Sequence, residues 1–345
     1  MKKLIDKLFN EGKLSCEEFK MLITEYSEDD FIYARNMAQE ISKRYFGNKV
    51  FIRGLIEISS YCKNDCLYCG LRKSNTNAQR YRLNKEQILE CCESGYRLGF
   101  RTFVLQGGED GYYTDEVLCE IVSEIRIKYP DCAITLSVGE KSKESYKKFF
   151  DAGANRYLLR HETADCEHYG KLHPENLTLE NRMECLKNLK EIGYQTGCGF
   201  MVGSPYQTEE SLAKDLLFIS EFKPQMVGIG PFIPHKDTPF GKYDHGNVEL
   251  TLFLLSLIRI MLKKVLLPST TALGTVNENG RQLGILSGAN VVMPNLSPAN
   301  VRKKYLLYDN KICTGDEAAE SLKSLKKTMA EIGYEIVEAR GDYVD

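Results

Sequence analysis

The sequence predicts an α/β protein, a (β/α)8 TIM-type barrel preceded by an N-terminal helical extension. After residue 48, eight strand-like segments alternate with amphipathic helical segments over short links. Unusual polar side chains also gather just past the predicted strand ends, where barrels of this class place their active sites. A doubly wound sheet rarely has eight uninterrupted units, and it is therefore the weaker alternative.

The first 48 residues are expected to be helical. Leu4 and Leu8 share one apolar stripe, Phe19 and Leu22 continue the pattern after a polar break, and a third helix is expected at about 29–45. Glycine at position 47 ends this segment. We expect these helices to form a cap, separate from the barrel at 49–313.

The barrel segment is justified by alternating periodicities, which favour parallel strands joined by helices. Predicted strands lie at 51–59, 102–105, 133–138, 156–160, 195–202, 226–231, 267–272 and 289–293. Predicted helices lie at 85–98, 114–128, 143–152, 179–192, 209–222, 249–263 and 280–287. Residues 314–345 are expected to form a C-terminal helical tail packed on the barrel.

Composition excludes some partners. The 345 residues contain 46 Lys and Arg against 48 Asp and Glu, a formal net charge of −2. This balance favours neither nucleic acid nor an anionic membrane as a partner. The most apolar run, 250–262, is too short to span a bilayer, and cytoplasm is the default expectation for location.

Three cysteines, Cys62, Cys66 and Cys69, directly follow the first predicted strand at spacings of four and three residues. A structural zinc site normally closes with four protein ligands. Three cysteines are also able to hold a [4Fe–4S] cluster and leave one iron open to a small molecule. The partial zinc site is disfavoured by Tyr68, the aromatic residue before the third cysteine, and by Gly70 after it.

This spacing, with the aromatic residue before the third cysteine, resembles the motif of the radical S-adenosylmethionine (SAM) superfamily. The resemblance implies that the three cysteines ligate a [4Fe–4S] cluster whose open iron binds SAM. One electron then cleaves SAM to a 5′-deoxyadenosyl radical, the reactive species of the superfamily. An external one-electron reductant is therefore expected as a partner.

Further residues match superfamily positions that contact SAM. Gln106, Gly107, Gly108 and Glu109 follow the second predicted strand and resemble the motif whose carbonyls accept from the SAM ammonium; glycine there lets the backbone approach the ligand. Alone, the two glycines indicate only a tight turn. The other candidates for the cofactor site are Tyr68, Thr135, Ser137, Glu162, Arg182, Met201 and Ile229.

Each of these candidates has a role that we expect and a simpler alternative. Thr135, Ser137 and Glu162 could be ordinary polar residues that line the barrel. Because a buried carboxylate needs a partner, Glu162 is expected to be a ribose or substrate-site ligand, and with the cysteines it completes the catalytic set. Arg182 is expected to pair with the SAM carboxylate, although it could be a solvated helix charge. Met201 and Ile229 are expected to line an adenine slot, with packing in the barrel core nearly as plausible.

Beyond the superfamily, five segments at 62–72, 104–110, 156–163, 226–235 and 289–295 resemble the HydE family, the radical SAM maturases of [FeFe]-hydrogenase. The resemblance covers the chain from about residue 4 to 313. It implies an organometallic iron substrate, a cysteine-bound Fe(CO)2CN-type precursor, processed towards the azadithiolate-bridged diiron subcluster. It also implies the maturases HydG and HydF as partners.

The same resemblance places five residues in the substrate cavity: Arg160, Thr270, Thr271, Met293 and Tyr305. Arginine and hydroxyl donors suit an anionic, cyanide-bearing complex. The simpler alternatives are a buried salt bridge between Arg160 and Glu162 and packing roles for the threonines. His235, a single histidine beside prolines, is expected to be structural.

One cluster per chain is expected. Some HydE proteins carry a second cluster bound by three C-terminal cysteines, whereas this chain has only Cys313 in that region. No counterpart of the sacrificial cluster of biotin synthase is expected, since Cys132 only just precedes the third predicted strand while Cys198 lies on the fifth. Two rival functions stay open: a mutase similar to methylornithine synthase, and an iron–sulfur or zinc protein without catalysis.

Overall fold

Parallel strands lie side by side around a central ring in the computed structural model, which describes residues 1–312 and 318–344. The strands are Lys49–Ile52 (β1), Gly54–Ser59 (β2), Thr102–Gly107 (β3), Ala133–Ser137 (β4), Arg156–Leu158 (β5), Gln195–Cys198 (β6), Met201–Val202 (β7), Met226–Val227 (β8), Gly230–Pro231 (β9), Val291–Val292 (β10) and Glu335–Val337 (β11).

Helices precede the ring and surround it. They are Lys2–Glu11 (α1), Cys16–Glu25 (α2), Glu28–Phe46 (α3), Lys85–Arg97 (α4), Asp115–Lys128 (α5), Lys143–Asp151 (α6), Cys166–Leu172 (α7), Leu179–Ile192 (α8), Glu209–Phe222 (α9), Val248–Met261 (α10), Thr271–Val276 (α11), Gly280–Leu286 (α12), Ala299–Arg302 (α13) and Ala318–Glu331 (α14). Ser, Thr or Asn side chains accept a backbone N–H at the start of most of the longer ones, which fixes where they begin.

The ring closes as the (β/α)8 prediction requires. Six parallel strands follow the order β2-β3-β4-β5-β6-β8. Backbone bridges then run from Met226 to Leu266 and from Pro268 to Val291 in β10, and a last bridge joins Leu55 of β2 to Asn295. Alternation along each strand turns one set of side chains towards the helices and the other into the barrel. The predicted fold class is confirmed.

The seventh predicted strand, 267–272, is wrong in its second half. Only bridges at Leu266 and Pro268 represent it, and α11 already begins at Thr271. Proline has no N–H to donate to a ladder. Thr270 then caps α11 by accepting from Leu273 N at 3.5 Å, so that Thr270 and Thr271 lie at the start of a helix above the ring.

The first predicted strand divides at Arg53 into β1 and β2. While β2 pairs with β3, β1 pairs with β10 on one side and with β11 on the other. The sequence did not predict β11, so the C-terminal segment contains a strand as well as helix α14. Beyond β11, the carbonyl of Arg340 accepts from Thr102 Oγ1 and from Arg156, the first residues of β3 and β5. The tail therefore covers the amino-terminal end of the barrel.

The N-terminal helices pack on the outside of the barrel rather than over its mouth. Helices α1 and α3 contact α10, and α2 contacts α9. Tyr26 stacks on Phe253 of α10 with ring centroids 4.1 Å apart. Within the described part of the chain, no helix has the length and apolar character needed to cross a membrane.

Candidate active site at the carboxyl ends of the strands

The loop that follows β2 presents Cys62, Cys66 and Cys69, all partly exposed and none in a disulfide. Burial raises the pKa of all three thiols, that of Cys69 to about 12, and the neighbouring thiolates raise the pKa of Cys66 further. Among the described residues, no three His, Cys or carboxylate side chains lie close enough to hold a single metal ion. The loop is thus no ready single-ion site, whereas a cubane cluster spreads its ligands over several irons.

Arg80 holds this loop from behind. Its guanidinium donates to the carbonyls of Ser60 and Leu71 through Nη1, and to those of Arg72 and Asn75 through Nη2, over 2.5–3.1 Å. Five fixed donors make arginine suited to gathering several carbonyls at once. The sequence analysis missed this residue, since one arginine in a polar stretch gives no signal before the loop is folded around it.

Replacement of Arg80 with alanine should lower the iron content after reconstitution at least threefold. Four loop carbonyls would lose their donor, at about 1 kcal/mol for each hydrogen bond. The measurement is iron and sulfide per chain, with Arg97→Ala as the matched control, because Arg97 is an exposed arginine that pairs with Glu93 on α4. Equal iron content in the two variants would exclude this role for Arg80.

A strap formed by residues 303–312 lies against the same loop. Gly70 N donates to Leu307 O at 2.9 Å, and a Cβ at position 70 would overlap the carbonyl of Leu306 and the ring of His235. His235 accepts from Asp237 N through Nδ1 at 3.1 Å. His235 therefore packs beneath the loop, in agreement with a structural role.

Gly107, Gly108 and Glu109 pack directly on the cysteine loop. A Cβ at Gly108 would overlap the carbonyl oxygen of Tyr61 and lie 2.7 Å from Cys62 Cβ. Glu109 O accepts from Lys63 N at 2.9 Å, and its buried carboxylate accepts from Glu140 N at 3.0 Å. The reason for glycine at 108 therefore differs from the expected one: the cysteine loop, rather than a ligand, occupies the space of a side chain.

An apolar wall borders the other side of the loop. Met201, Leu172, Phe232 and Phe240 form a small buried cluster against which Leu67 and Tyr68 pack. Tyr68 Oη lies 3.3 Å from His173 Nε2, with the two rings edge to face. Met201 is thus beside the cysteine loop, as an adenine slot would require. Ile229, by contrast, is fully buried in the main core, where packing accounts for it.

The inward face of the barrel carries polar side chains on neighbouring strands. Thr135 pairs in register with Val104, and Ser137 pairs with Gln106. Gln106 Nε2 donates to Tyr305 Oη at 3.3 Å, which joins β3 to the strap. Thr135 Oγ1 is buried and makes no hydrogen bond to residues 1–312 or 318–344. An unsatisfied buried hydroxyl indicates a place where a ligand group or water completes the site.

Glu162 lies at the end of the β5 segment in a left-handed conformation, with φ 64°. Its N–H donates to Gly199 O at 3.0 Å, and Gly199 N donates to Nδ1 of buried His161 at 3.2 Å. His161 Nε2 faces Asp215 at 3.3 Å, and burial lowers the pKa of His161 to about 3, so that the ring is neutral. Hydrogen bonds on both sides therefore stabilise the left-handed backbone conformation of Glu162, which raises the free energy of a non-glycine residue by about 1 kcal/mol or more.

Arg160 and Glu162 form an ion pair, with Nη2 and Oε2 3.2 Å apart. This is the salt bridge considered as the simpler role of Arg160. It leaves Nε and Nη2 of Arg160 and Oε2 of Glu162 without a hydrogen bond of acceptable geometry. Buried charged groups with open hydrogen-bonding capacity favour a polar ligand between or beside them.

Arg182 is buried rather than solvated. Its Nε pairs with Glu140 Oε1, and Nη1 donates to Arg160 O at 2.6 Å. Its positive charge acts to lower the pKa of Cys66, which places it towards the cysteine loop. The guanidinium thus already has a carboxylate partner, and a SAM carboxylate would share it with Glu140.

The structure brings together only some of the predicted substrate residues. A Cβ at Gly230 would lie 2.7 Å from Thr270 Oγ1, so Thr270 faces the barrel mouth near β9. Tyr305 is buried and contacts Gln106. Met293 instead packs against Met226 and Leu266, deeper in the barrel.

Sequence reasoning missed Arg53, which lies deeper still. It is 5% exposed and donates to Met226 Sδ at 3.0 Å, but its Nε and Nη2 are buried without a partner. The signal was available, because Arg53 interrupts an otherwise apolar run, FIRGLIEIS. Burial lowers the pKa of Arg53, and the charges that act on it are those of Arg156 and Asp342, so it lies towards the amino-terminal end of the barrel.

Comparison with known proteins agrees with this geometry. A family model described as the radical SAM superfamily matches residues 56–219. The chain is 46% identical over 86% of its length to the [FeFe] hydrogenase maturase subunit HydE of Thermotoga maritima, covering 84% of that protein. It is 28% identical to 3-methylornithine synthase of Methanosarcina acetivorans, over 96% of this chain and 92% of that one.

Solved structures resemble it in fold. The crystal structure of methylornithine synthase (PylB) superposes with a TM-score of 0.84 at 28% identity, covering 97% of each chain. A crystal structure of HydG, a maturase of the [FeFe]-hydrogenase, superposes with a TM-score of 0.80 at 20% identity, covering 97% of this chain and 75% of that one.

Proposed function

Because the chain belongs to the HydE family of radical SAM enzymes, we propose that it cleaves SAM reductively during [FeFe]-hydrogenase maturation and acts on a cysteine-bound iron complex bearing CO and cyanide. The product would lead towards the azadithiolate-bridged diiron subcluster. The observation that carries the proposal is a set of buried polar atoms that make no hydrogen bond to the described residues, on Thr135 of β4 and on Arg160 and Glu162 just past β5. Such atoms are costly unless a ligand pairs with them. The Glu162 charge acts on Cys66 and Cys69, which places this group beside the cysteine loop.

The cysteine loop suits a [4Fe–4S] cluster held by Cys62, Cys66 and Cys69. When bound and reduced, the cluster supplies the electron that cleaves SAM to methionine and a 5′-deoxyadenosyl radical. The protein's part is to keep three thiolates in one loop, which Arg80 and Gly108 do by fixing the backbone around them. We propose one cluster per chain.

The residues around the loop would orient SAM. Glu162 and Thr135 have free acceptor or donor capacity for the ribose hydroxyls, and we propose that the carbonyls at 107–108 accept from the SAM ammonium. Arg182 would hold its carboxylate together with Glu140. The Met201 cluster and Tyr68 would cover the adenine and exclude water. Ser137, next to Gln106 on the adjacent strand, would complete the polar rim.

The barrel interior supports an anionic substrate. Arg160, just past the end of β5, has buried Nε and Nη2 atoms that make no hydrogen bond to the described residues. A complex carrying cyanide and a cysteine carboxylate would accept from such donors. Thr270, Thr271 and Tyr305 would contribute hydroxyl groups near the mouth. HydG would supply this complex and HydF would receive its product.

The test is anaerobic reconstitution followed by reduction in the presence of SAM. Formation of 5′-deoxyadenosine is expected, together with restored hydrogenase activity when the protein is added to a lysate that lacks this maturase but contains HydG and HydF. The proposed substrate predicts that the iron–cysteine complex increases SAM consumption. SAM cleavage without rescue of the lysate would contradict the maturation role.

A methylornithine synthase activity is the second candidate, favoured by the TM-score of 0.84 over 97% of both chains. That reaction would rearrange an amino acid carbon skeleton within the same barrel. Incubation with lysine and SAM, with detection of methylornithine by mass spectrometry, separates the two candidates. A product that accumulates with turnover would favour the mutase.

Thr135→Val should weaken SAM binding about fivefold, since it removes one hydrogen bond of about 1 kcal/mol while conserving shape. Glu162→Gln should weaken it at least tenfold, because a charged acceptor is lost. The measurement is the dissociation constant of SAM by equilibrium dialysis with the reconstituted protein. Thr24→Val is the matched control on the outer helix α2, where Thr24 is exposed and its Oγ1 donates to Lys20 O at 2.8 Å. Equal binding by all variants would remove Thr135 and Glu162 from the SAM site.

The cluster number needs its own measurement. Cys313, the residue considered for a second cluster, lies outside the described residues. One cluster predicts about four irons per chain and a single cubane EPR signal, unchanged in Cys313→Ala. A second cubane signal that disappears in this variant would contradict the proposal.

A further inference from the structure

We propose that the surface beside Cys62 is the docking site for an acidic one-electron carrier protein. We call this surface the basic rim, and its members are Tyr61, Lys63, Lys73, Arg82 and Tyr112. The inference rests on the proposed function, which requires one electron for each SAM cleaved. It adds where the electron donor binds and what charge the donor carries.

The basic rim is exposed and positively charged. The Lys63 side chain is 66% exposed, whereas its partner Glu109 is only 8% exposed. Arg82 is 38% exposed above Asp110, which is 3% exposed. The cations therefore face solvent while their counter-charges lie beneath them, and an approaching protein meets the positive groups first. Lys73 is a third exposed cation. Its backbone N–H donates to Asn64 O at 2.8 Å, which places the Lys73 backbone beside that of Lys63.

The wider loop shares this charge. Between residues 61 and 82 there are five Lys and Arg residues, at 63, 72, 73, 80 and 82, and a single acid, Asp65. Arg72 pairs with Asp65 and Arg80 donates to carbonyls behind the loop, so the cations that face a partner are Lys63, Lys73 and Arg82. The whole chain has a formal net charge of −2. An acidic carrier would gain nothing from the net charge of the molecule, so a local basic surface is what would direct it to this loop.

The basic rim is also rigid. Arg82 makes two bonds to Asp110, from Nε at 2.7 Å and from Nη2 at 2.9 Å, and Asp110 also accepts from Ser59 Oγ at 2.6 Å. The Arg82 guanidinium lies 3.9 Å from the ring centroid of Tyr61 and 5.1 Å from that of Tyr112. These two rings are 37% and 49% exposed. Fixed charges and aromatic rings bind a partner with little loss of side-chain entropy.

The position fits electron transfer to the cluster. Cys62 is the chain neighbour of both Tyr61 and Lys63, so the basic rim includes the backbone on each side of one proposed ligand. Other sides of the loop are covered, by the Met201 cluster next to Tyr68 and by the strap at Gly70. A carrier seated on the rim would therefore approach the cluster from the Cys62 side. One electron leaves the carrier and one enters the cluster, with no bond formed and no proton moved.

The experiment measures cluster reduction without SAM. The reconstituted protein is mixed with flavodoxin hydroquinone, an acidic carrier, and the fall in cluster absorbance is followed by stopped flow. The bimolecular rate constant should fall at least tenfold between 20 and 300 mM salt, since steered association is screened. Lys63→Glu/Lys73→Glu should slow the reaction at least tenfold at low salt, and Lys63→Gln/Lys73→Gln should slow it less.

Two controls separate docking from damage to the cluster. Lys147→Glu/Lys187→Glu makes the same change of charge on the exposed helices α6 and α8, and flavodoxin should reduce its cluster at the wild-type rate. Reduced methyl viologen, a small cation, should reduce all variants at rates within about twofold of one another. Carbodiimide cross-linking of flavodoxin should join its carboxylates to Lys63 or Lys73. The proposal would be overturned if cross-links formed only at other lysines. It would also be overturned if the rate constant did not depend on salt and was unchanged in both Lys63/Lys73 double variants.

The outcomes also separate this inference from the proposed function. If wild-type protein reduced by methyl viologen forms no 5′-deoxyadenosine, the radical SAM function fails. The salt dependence and the cross-links would still test whether the carrier docks on the basic rim. If methyl viologen supports SAM cleavage but the rate of cluster reduction by flavodoxin is unchanged by substitution of Lys63 and Lys73, only the docking site is contradicted.

Discussion

Replacement of Cys66 with alanine is expected to reduce bound iron from about four atoms per chain to less than one, and to abolish 5′-deoxyadenosine formation. A cubane cluster with three protein thiolates already has one iron without a protein ligand. Loss of Cys66 leaves two thiolates to hold the cluster. Burial raises the pKa of the cysteine thiols and so favours the protonated form, which does not bind iron, and two cysteines are therefore not expected to hold the cluster. The measurement is iron, sulfide and EPR quantification after anaerobic reconstitution.

Cys166→Ala is the matched control, because Cys166 is an exposed free thiol on α7 outside the cysteine loop. It should keep the wild-type iron content and SAM cleavage. Cys66→Ala should keep the wild-type circular dichroism spectrum, since Cys66 is only partly buried and lies in a loop. A Cys66→Ala protein that still cleaves SAM would rule out the enzyme function proposed for this loop.

Gly108→Ala is expected to give the second largest effect, a loss of most bound iron with destabilisation of about 1–3 kcal/mol. The new methyl group would overlap the carbonyl oxygen of Tyr61 and lie 2.7 Å from Cys62 Cβ. Both obstacles belong to the cysteine loop near its backbone, so the loop itself must shift. The readouts are iron content and the free energy of unfolding in urea.

Two neighbouring glycines provide the comparison. A Cβ at Gly111 would meet nothing within 4 Å, so Gly111→Ala should match wild type in iron content and stability. At Gly107 the nearest atom would be Ile58 Cγ1 at 3.2 Å, a side chain that is able to move slightly, and a small effect is expected. If Gly107→Ala weakens SAM binding while Gly108→Ala leaves the iron content unchanged, glycine is needed there for the approach of the ligand and not for the packing of the cysteine loop.

Much of the fold followed from local pattern. Helices α8 and α9 begin and end at the predicted residues, because strong caps at Thr178 and Thr208 agree with the apolar periodicity. Short helices were less visible: α7 has only seven residues, too few for an amphipathic repeat. Strand β11 pairs with β1 from nearly 290 residues away, a contact that no local signal reports.

The candidate site was likewise predicted from the sequence only in part. The cysteine spacing identified the loop, and polar residues at strand ends identified the barrel mouth. The pairing of Arg182 with Glu140 and the overlap that requires Gly108 depend on loops from different strands, and so did not follow from spacing. Ile229 was proposed for an adenine slot, but a glycine-rich turn does not reveal which way its side chain faces.

The sequence by itself determined the eight-unit barrel, the cysteine loop and the family, because periodicity and motif spacing are properties of neighbouring residues. The tertiary structure alone decided what surrounds the three cysteines. It placed Arg80 behind the loop, the strap against Gly70 and the basic rim beside Cys62. The strap and Gly70 are far apart in the chain, and the closed ring of strands brings them together. The Arg80 contacts are nearer in sequence, but they form only once the loop has folded around the guanidinium.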